Sequence, residues 1–332
     1  MTICTRRRWL ALILVAGALL GAAEVASDGQ DGSQNQFGFI RDAALNPSGV
    51  LSVLDVSIGN NRAVVVLDSL GRRVSELPAG RADGQVSAAT GLGTAPGGRL
   101  LVADWGNSHV SVFVIDEARR PVHTLTIDTG QAHDACGSAT EYFVAAPRLT
   151  GLIHVYDATG GHVRSFGEPA VLDYAIEVNR QEHLLAKANA ASVACDTSEG
   201  ALYHYNLVLG RVTKFLFDGS EVWTVRLEQE DFSHLEAGNG WCCGVLPGSS
   251  GRQLEGKMPL VLDGSVLRVS AGEYVGEARW SHHSYVLDAA TGRLLEKQPM
   301  DWLPLGTIGG RSYNYLAGSP SRISVVPAGA RK

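Results

Sequence analysis

The chain has 332 residues, 45% of them apolar, with 28 basic and 34 acidic residues and a formal charge of −6. That length and composition supply a globular core. The acidic balance excludes the basic footprint of a nucleic-acid-binding protein.

Residues 1–23, MTICTRRRWLALILVAGALLGAA, place Arg6, Arg7 and Arg8 ahead of an uncharged apolar run from Trp9 to Leu20. Small residues follow, with Gly21 and Ala23 where a signal peptidase reads. This is the layout of a secretory signal peptide, with cleavage expected after Ala23 and delivery to the periplasm or the exterior. The stretch TRRRWL also resembles a twin-arginine export signal, so either route fits. Cys4 leaves with the peptide, and the mature chain keeps 25 basic against 34 acidic residues, a formal charge of −9. No second apolar run is long enough to span a membrane. Residues 24–36, EVASDGQDGSQNQ, are polar and read as a flexible leader.

From residue 37 to 332 the chain repeats itself. RAVVVLDSLGRRV, HVSVFVIDEARRPV, LIHVYDATGGHV, RVTKFLFDGSEV and HSYVLDAATGRLL each end a β-branched or aromatic strand at an aspartate, then turn into another strand. The aspartates are Asp68, Asp116, Asp157, Asp218 and Asp288. A sixth copy, SRISVVPAG, stops at Pro327. Asp closes such a turn with its own carboxylate, so these five acids read as structural. The marks are spaced by 48, 41, 61, 70 and 39 residues, and two further strands precede each hairpin. Four antiparallel strands at this period make a β-propeller blade, and six hairpins predict an all-β, six-bladed β-propeller.

Within this pattern PGGRLLVADWGNSHVSVF resembles an NHL repeat: a Pro/Gly turn, a strand ending Val-Ala-Asp, a Gly-Asn turn and a Val-x-Val-Phe strand. NPSGVLSVLDVSIGNNRAVVVLD and EYFVAAPRLTGLIHVYD are similar to it, while YVLDAATGRLL is as much like the blades of quinoprotein-type propellers. Exported bacterial six-bladed propellers are the nearest overall likeness. The resemblance implies either a binding scaffold or a lyase or lactonase holding a metal such as calcium or zinc near the central channel. The inner strands carry no matching set of ligands, so no catalytic residue, metal site or cofactor is assigned.

Loops before each inner strand, and those joining second to third strands, fall on one face of the disc. That face collects Trp105, His109, His133, Asp134, Arg148, Tyr174, Trp280 and His282 as candidate binding residues. His133 beside Asp134 also reads as an ordinary surface pair, and His282 and His283, adjacent on a strand, face opposite ways. The long connections 168–191 and 228–240 lie side by side on the same face. Two readings follow: an exported, non-enzymatic module binding a protein or small-molecule ligand there, and a metal-assisted lyase or hydrolase acting at the channel.

The last unit has three strands, so its outer strand should come from around residues 36–41. Cys136 and Cys195 should end the inner strands of blades 3 and 4, with Cys242 and Cys243 in the inner strand of blade 5. Oxidising surroundings favour at least one bridge. The order of expectation is Cys195 to Cys242 or Cys243, then Cys242 to Cys243, then a thiolate metal site. Any bridge requires Cα atoms within about 7 Å.

Overall fold

The computed structural model describes residues 36–38, 40–56, 62–148, 150–169, 189–207, 209–227, 254–255, 260–274, 280–299, 302–316 and 321–328. All of them fall in the compact unit Ser33–Lys332. Among these residues every element is a strand, and the strands form six antiparallel sheets. No helix of the described residues is long and apolar enough to cross a membrane.

Strand β1 (Gln36–Phe37) precedes blade 1, which runs from inner to outer edge as β2 (Ile40–Leu45), β3 (Leu51–Val56), β4 (Arg62–Leu67) and β5 (Arg73–Glu76). Blade 2 is β6 (Ala89–Ala95), β7 (Arg99–Asp104), β8 (His109–Ile115) and β9 (Pro121–Asp128). Blade 3 is β10 (Asp134–Gly137), β11 (Glu141–Arg148), β12 (Gly151–Asp157) and β13 (His162–Phe166). Blade 4 is β14 (Ala191–Asp196), β15 (Ala201–Asn206), β16 (Arg211–Leu216) and β17 (Glu221–Arg226). In blade 5, β18 (Leu254–Glu255) and β19 (Val261–Asp263) both pair with the inner side of β20 (Val266–Tyr274), followed by β21 (Trp280–Asp288) and β22 (Leu294–Pro299). Blade 6 is β23 (Trp302–Ile308), β24 (Arg311–Leu316) and β25 (Ser321–Pro327), completed on its outer side by β1. Around the axis β2, β6, β10, β14, β19 and β23 each touch the next, and β23 returns to β2. The protein is a six-bladed β-propeller.

Closure follows the sequence expectation in part. Phe37 lies opposite Ser321 and Gln36 opposite Arg322, so the N-terminal side does supply the outer strand of blade 6. Among the described residues, 36 and 37 do so, and Ile40 and Arg41 already belong to the inner strand of blade 1. Gln36, read as the end of the leader, is in this strand.

The aspartate turns are built as their chemistry dictates. Asp68 Oδ1 accepts the N–H groups of Leu70 and Arg72 at 2.8 and 2.9 Å, and Asp157 Oδ1 those of Thr159 and Gly161 at 2.8 and 3.0 Å. Asp116, Asp218 and Asp288 accept from Arg120, Ser220 and Thr291 in the same way. Hydrogen bonds to the ionised form hold all five carboxyls below the usual aspartate range; at Asp68 burial works the other way and is outweighed by Arg72 and Leu70. Beyond each turn the outer strand slips by one residue against its neighbour, for example between Val66 and Leu67 and between Val155 and Tyr156. The same bulge occurs in blades 2, 4 and 5. It brings residues three apart onto one face, so His123 meets Thr126 at 3.0 Å, His162 meets Ser165 at 2.9 Å and Thr224 meets Glu221 at 2.9 Å.

Blades meet through apolar faces. Leu54 and Val64 pack with Leu92, Val102 and Phe113 between blades 1 and 2. Val112, Val144 and Tyr156 fill the next seam, and Phe143, Ile153, Leu202 and Phe215 the one after. Tyr203 and Tyr205 meet Leu267 and Tyr285 between blades 4 and 5, while Ile40, Val53, Tyr313 and Tyr315 seal blade 6 against blade 1. Polar bonds fasten the same seams. Arg99 donates to Tyr142 Oη at 2.8 Å, Arg164 Nη2 to Phe217 O at 2.6 Å, and Tyr203 Oη to Ala289 O at 3.1 Å.

Along the inner strands the fastening is tighter. Asp42 Oδ2 accepts from Leu92 N at 2.9 Å, and Asp134 Oδ2 from Val193 N at 2.8 Å, each carboxylate reaching the adjacent blade. Thr90 Oγ1 donates to Ala132 O at 2.8 Å across the intervening seam. Two residues beyond Asp134 and Val193, Cys136 and Cys195 form a disulfide, with Cα atoms 5.7 Å apart. This overturns the expectation that Cys195 pairs with Cys242 or Cys243. Those two cysteines lie outside the described residues, and the described inner segments of blade 5 come later, at 254–255 and 261–263. Cys136 and Cys195 face each other across the blade 3/4 seam, as do Phe143 and Leu202, their partners across each sheet.

Two outcomes follow. A Cβ on Gly93 would stand 1.8 Å from Ala135 O, a backbone atom of the next blade that has no room to retreat. Gly93→Ala should therefore lower unfolding free energy by about 3 kcal/mol in a denaturant titration. Because the disulfide closes a loop of sequence separation 59, reduction, or Cys136→Ser with Cys195→Ser, should cost about 4 kcal/mol in the same titration.

Candidate functional site

The connections that begin inner strands, and those between second and third strands, gather on one face, and the best-described part lies between blades 2 and 3. Its foundation is Asp104, the last residue of β7. The buried Asp104 carboxylate accepts from Ser87 N at 2.7 Å, Ala88 N at 2.8 Å, Gly106 N at 3.0 Å and Asn107 N at 3.2 Å. Asn107 Nδ2 donates to Asp104 Oδ2 at 2.9 Å and to Gly80 O at 3.1 Å. One carboxylate thus ties the turn after β7 to the connection entering blade 2, which explains the Asp-Trp-Gly-Asn order in the sequence. An anion in this position satisfies several backbone donors that would otherwise be buried unmet.

Trp105 rides on that turn, half-buried. Its ring meets His133 edge-on, with centroids 4.9 Å apart and planes at 66°. His133 is fixed from its backbone, where its N–H donates to Ala145 O at 2.7 Å. Arg148, at the end of β11, folds over the connection that leads to His133 and donates from Nη2 to Thr129 O. The structure therefore brings Trp105 and His133 together across the seam, while Arg148 is held on the connection that enters blade 3.

The remaining candidates are spread more widely. Asp134 is buried and turned into the blade 3/4 seam, where it binds the backbone N–H groups of Ala135 and Val193. His109 sits opposite Asp104 in the ladder, one position from Val110, with Phe113 and the other blade 1/2 core residues on its side of β8. It packs within the blade 1/2 seam, away from the Trp105 and His133 rings. Trp280 and His282 are placed in β21 opposite Tyr274 and Gly272. Tyr174 lies outside the described residues, as do 170–188 and 228–253, which hold most of the two long connections. Among the described residues no group of three His, Cys, Asp or Glu side chains is placed to hold a metal.

Two buried histidines escaped the sequence reading because neither lies in a loop or beside a charged motif. His154 on β12 is held at Nδ1 by Ser165 Oγ at 2.8 Å, and Ser165 in turn meets His162. Burial, helped by the charges of Arg148 and His162, pushes His154 down to about 4. His204 on β15 is enclosed between blades 3 and 4, and burial with the Arg211 charge pushes it down to about 3.

Solved structures resemble this fold at low sequence identity. Hydrazine synthase of Kuenenia stuttgartiensis matches with a TM-score of 0.53 and 14% identity, over 92% of this chain and 80% of its own. A member of the DUF4221 family from Bacteroides vulgatus matches with a TM-score of 0.53 and 10% identity, over 89% and 95%. A periplasmic gluconolactonase of Pseudomonas aeruginosa gives a TM-score of 0.49 and 14% identity, over 87% and 88%. At these identities the first two share the fold alone. No protein-family model matches the chain, and none of the curated proteins matches it by sequence.

The histidines set a pH response. Both are neutral in the native state and titrate near 6.5 once unfolded. From about pH 6.5 down to about pH 4 the unfolded chain binds protons that the native chain refuses, so stability falls on acidification, by up to about 1.4 kcal/mol per pH unit for each histidine. Above pH 6.5 their contribution is constant. Unfolding free energies measured at pH 7.5, 6, 5 and 4.5 should show this slope, and His204→Gln should flatten it.

Proposed function

We propose that the protein is an exported propeller of NHL-like blades that binds a protein or small-molecule ligand on its loop-rich face, with Trp105 as the contact residue. The observation carrying this is the division of labour at the blade 2/3 seam. Asp104 and Arg148 are engaged with backbone groups, whereas Trp105 stays half-exposed on a turn that Asp104 holds rigid. A large aromatic group locked in place and backed by His133 loses little conformational freedom on binding, which is what makes aromatic anchors effective at interfaces. The Asp104 network also supports the NHL-like reading, because it gives the Val-Ala-Asp-Trp-Gly-Asn stretch a structural reason.

Export is part of the proposal. It is supported by the Arg6–Arg8 and Trp9–Leu20 layout at the start of the chain and by a Cys136–Cys195 disulfide, a bond that persists in oxidising compartments. On this reading residues 1–23 are removed, and the propeller begins at Gln36.

A photo-crosslinking amino acid placed at position 105 tests the binding reading against the same group at Thr291, on a turn of the opposite face. In cells of the source, position 105 should give a discrete adduct that position 291 does not, and Arg148→Ala should leave expression unchanged while reducing it. Identical adduct patterns at both positions would overturn the assignment. Stoichiometric zinc or calcium in the purified protein, lost on His133→Ala, would turn the assignment to metal-assisted chemistry instead.

A further inference from the structure

Blade 4 carries a like-charged pair on one face. Ala191, Asn206, Arg211 and Arg226 stand opposite one another in turn across its four strands, so the two arginines are cross-strand neighbours. Ala191 packs in the seam towards blade 3, whereas Tyr205, Val212 and Val225 pack towards blade 5. Alternation along the strands therefore turns Arg211 and Arg226 to the blade 3 side. Like charges directly opposite on one face repel. In blade 2 the corresponding place, the start of the third strand against the end of the outer one, holds His109 opposite Asp128.

No described acid answers this charge. Arg72, Arg120 and Arg164 each meet one, Asp68, Asp116 and Glu141. Arg211 and Arg226 form no ion pair among the described residues, and Glu168, which follows β13 on blade 3, pairs with neither. Two polar atoms beside the pair are buried and unmet, Arg211 Nε and His204 Nε2. His204, 1% exposed, lies on the next row of the same face, opposite Thr213. The Arg211 charge reaches it, adding to the burial that keeps its ring neutral. Asn206 closes the arginine row on the inner side, its Oδ1 accepting from Leu209 N at 2.9 Å. A buried donor without a partner is costly, and a site that holds one is ready for a group that supplies it.

We propose that Arg211 and Arg226 form an oxyanion site at the blade 3/4 seam, taking the carboxylate or phosphate group of a small molecule. Guanidinium groups from two adjacent strands offer several N–H donors to one set of oxygens, the arrangement in which arginine binds such anions most strongly. One anion between them turns the repulsion into attraction and gives Arg211 Nε the acceptor it lacks. Arg211 begins β16 and Arg226 ends β17, so the site opens on the loop-rich face. It lies one seam away from Trp105 and is independent of that residue. Loss of the position-105 adduct would leave the oxyanion site standing, and loss of anion binding would leave the Trp105 reading standing.

Thermal melting of the purified protein in inorganic phosphate, succinate or chloride, at one pH and one ionic strength, tests the site. Phosphate, succinate or both should raise the melting temperature above that in chloride, and the pattern tells which oxyanion is taken. Titration calorimetry with the effective anion should find one site per chain. Its affinity should fall about tenfold or more in Arg226→Gln and stay unchanged in Arg293→Gln, which alters an exposed arginine on the opposite face. In chloride alone Arg226→Gln should melt no lower than the parent, because it removes a repulsion, whereas loss of a structural arginine would lower the melting temperature. The proposal is overturned by no gain over chloride from either anion, by equal affinity in Arg226→Gln and the parent, by equal weakening in both variants, or by a lower melting temperature of Arg226→Gln in chloride.

Discussion

No blade of this protein can bury both of its faces by itself, and that constraint governs everything else in the molecule. A four-stranded sheet with apolar side chains on both sides is stable only between two others, so the ring has to close. Each seam then does two things at once. It removes apolar surface from water, at roughly 25 cal/mol per Å², and it fixes the angle at which the next sheet stands. The inner strands are where the tolerance is smallest, because six of them converge on the axis. There the contacts become backbone-specific: Asp42 reaches Leu92, Thr90 reaches Ala132, Asp134 reaches Val193 and Gly93 lets Ala135 approach.

The seam between blades 5 and 6 departs from this rule. Ser270 and Ser284 are paired across β20 and β21, buried, and turned away from the tyrosine-rich cluster that faces blade 4. Across from them, Ser312 and Asn314 alternate with the Tyr313 and Tyr315 rings that face blade 1. Among the described residues, hydroxyl and amide groups line this seam beside the buried Val286.

How much of this was legible in the sequence depended on the range of the interaction responsible. The five aspartate turns are local, since a carboxylate and the amides it binds are within a few residues, and each was read correctly from Asp68 to Asp288. Strand number and blade order followed, because they repeat the same local signal. Pairing between blades was harder. The match of Cys136 with Cys195 requires knowing that both stand at the same level of adjacent inner strands, which depends on bulges and loop lengths accumulated over 59 residues. The meeting of Trp105 with His133 depends on the same geometry. His154 and His204 carry no sequence signal at all, being ordinary strand positions made unusual by what surrounds them.

The position of the disulfide also has a temporal meaning. A chain that crosses a membrane N-terminus first presents Cys136, then Cys195, and only later Cys242 and Cys243. On the proposed export reading, removal of residues 1–23 would take Cys4 away, and Cys195 on its arrival would meet a single possible partner. If the chain crosses unfolded, the bond between blades 3 and 4 is the one that order of appearance itself would select, before the last two blades arrive.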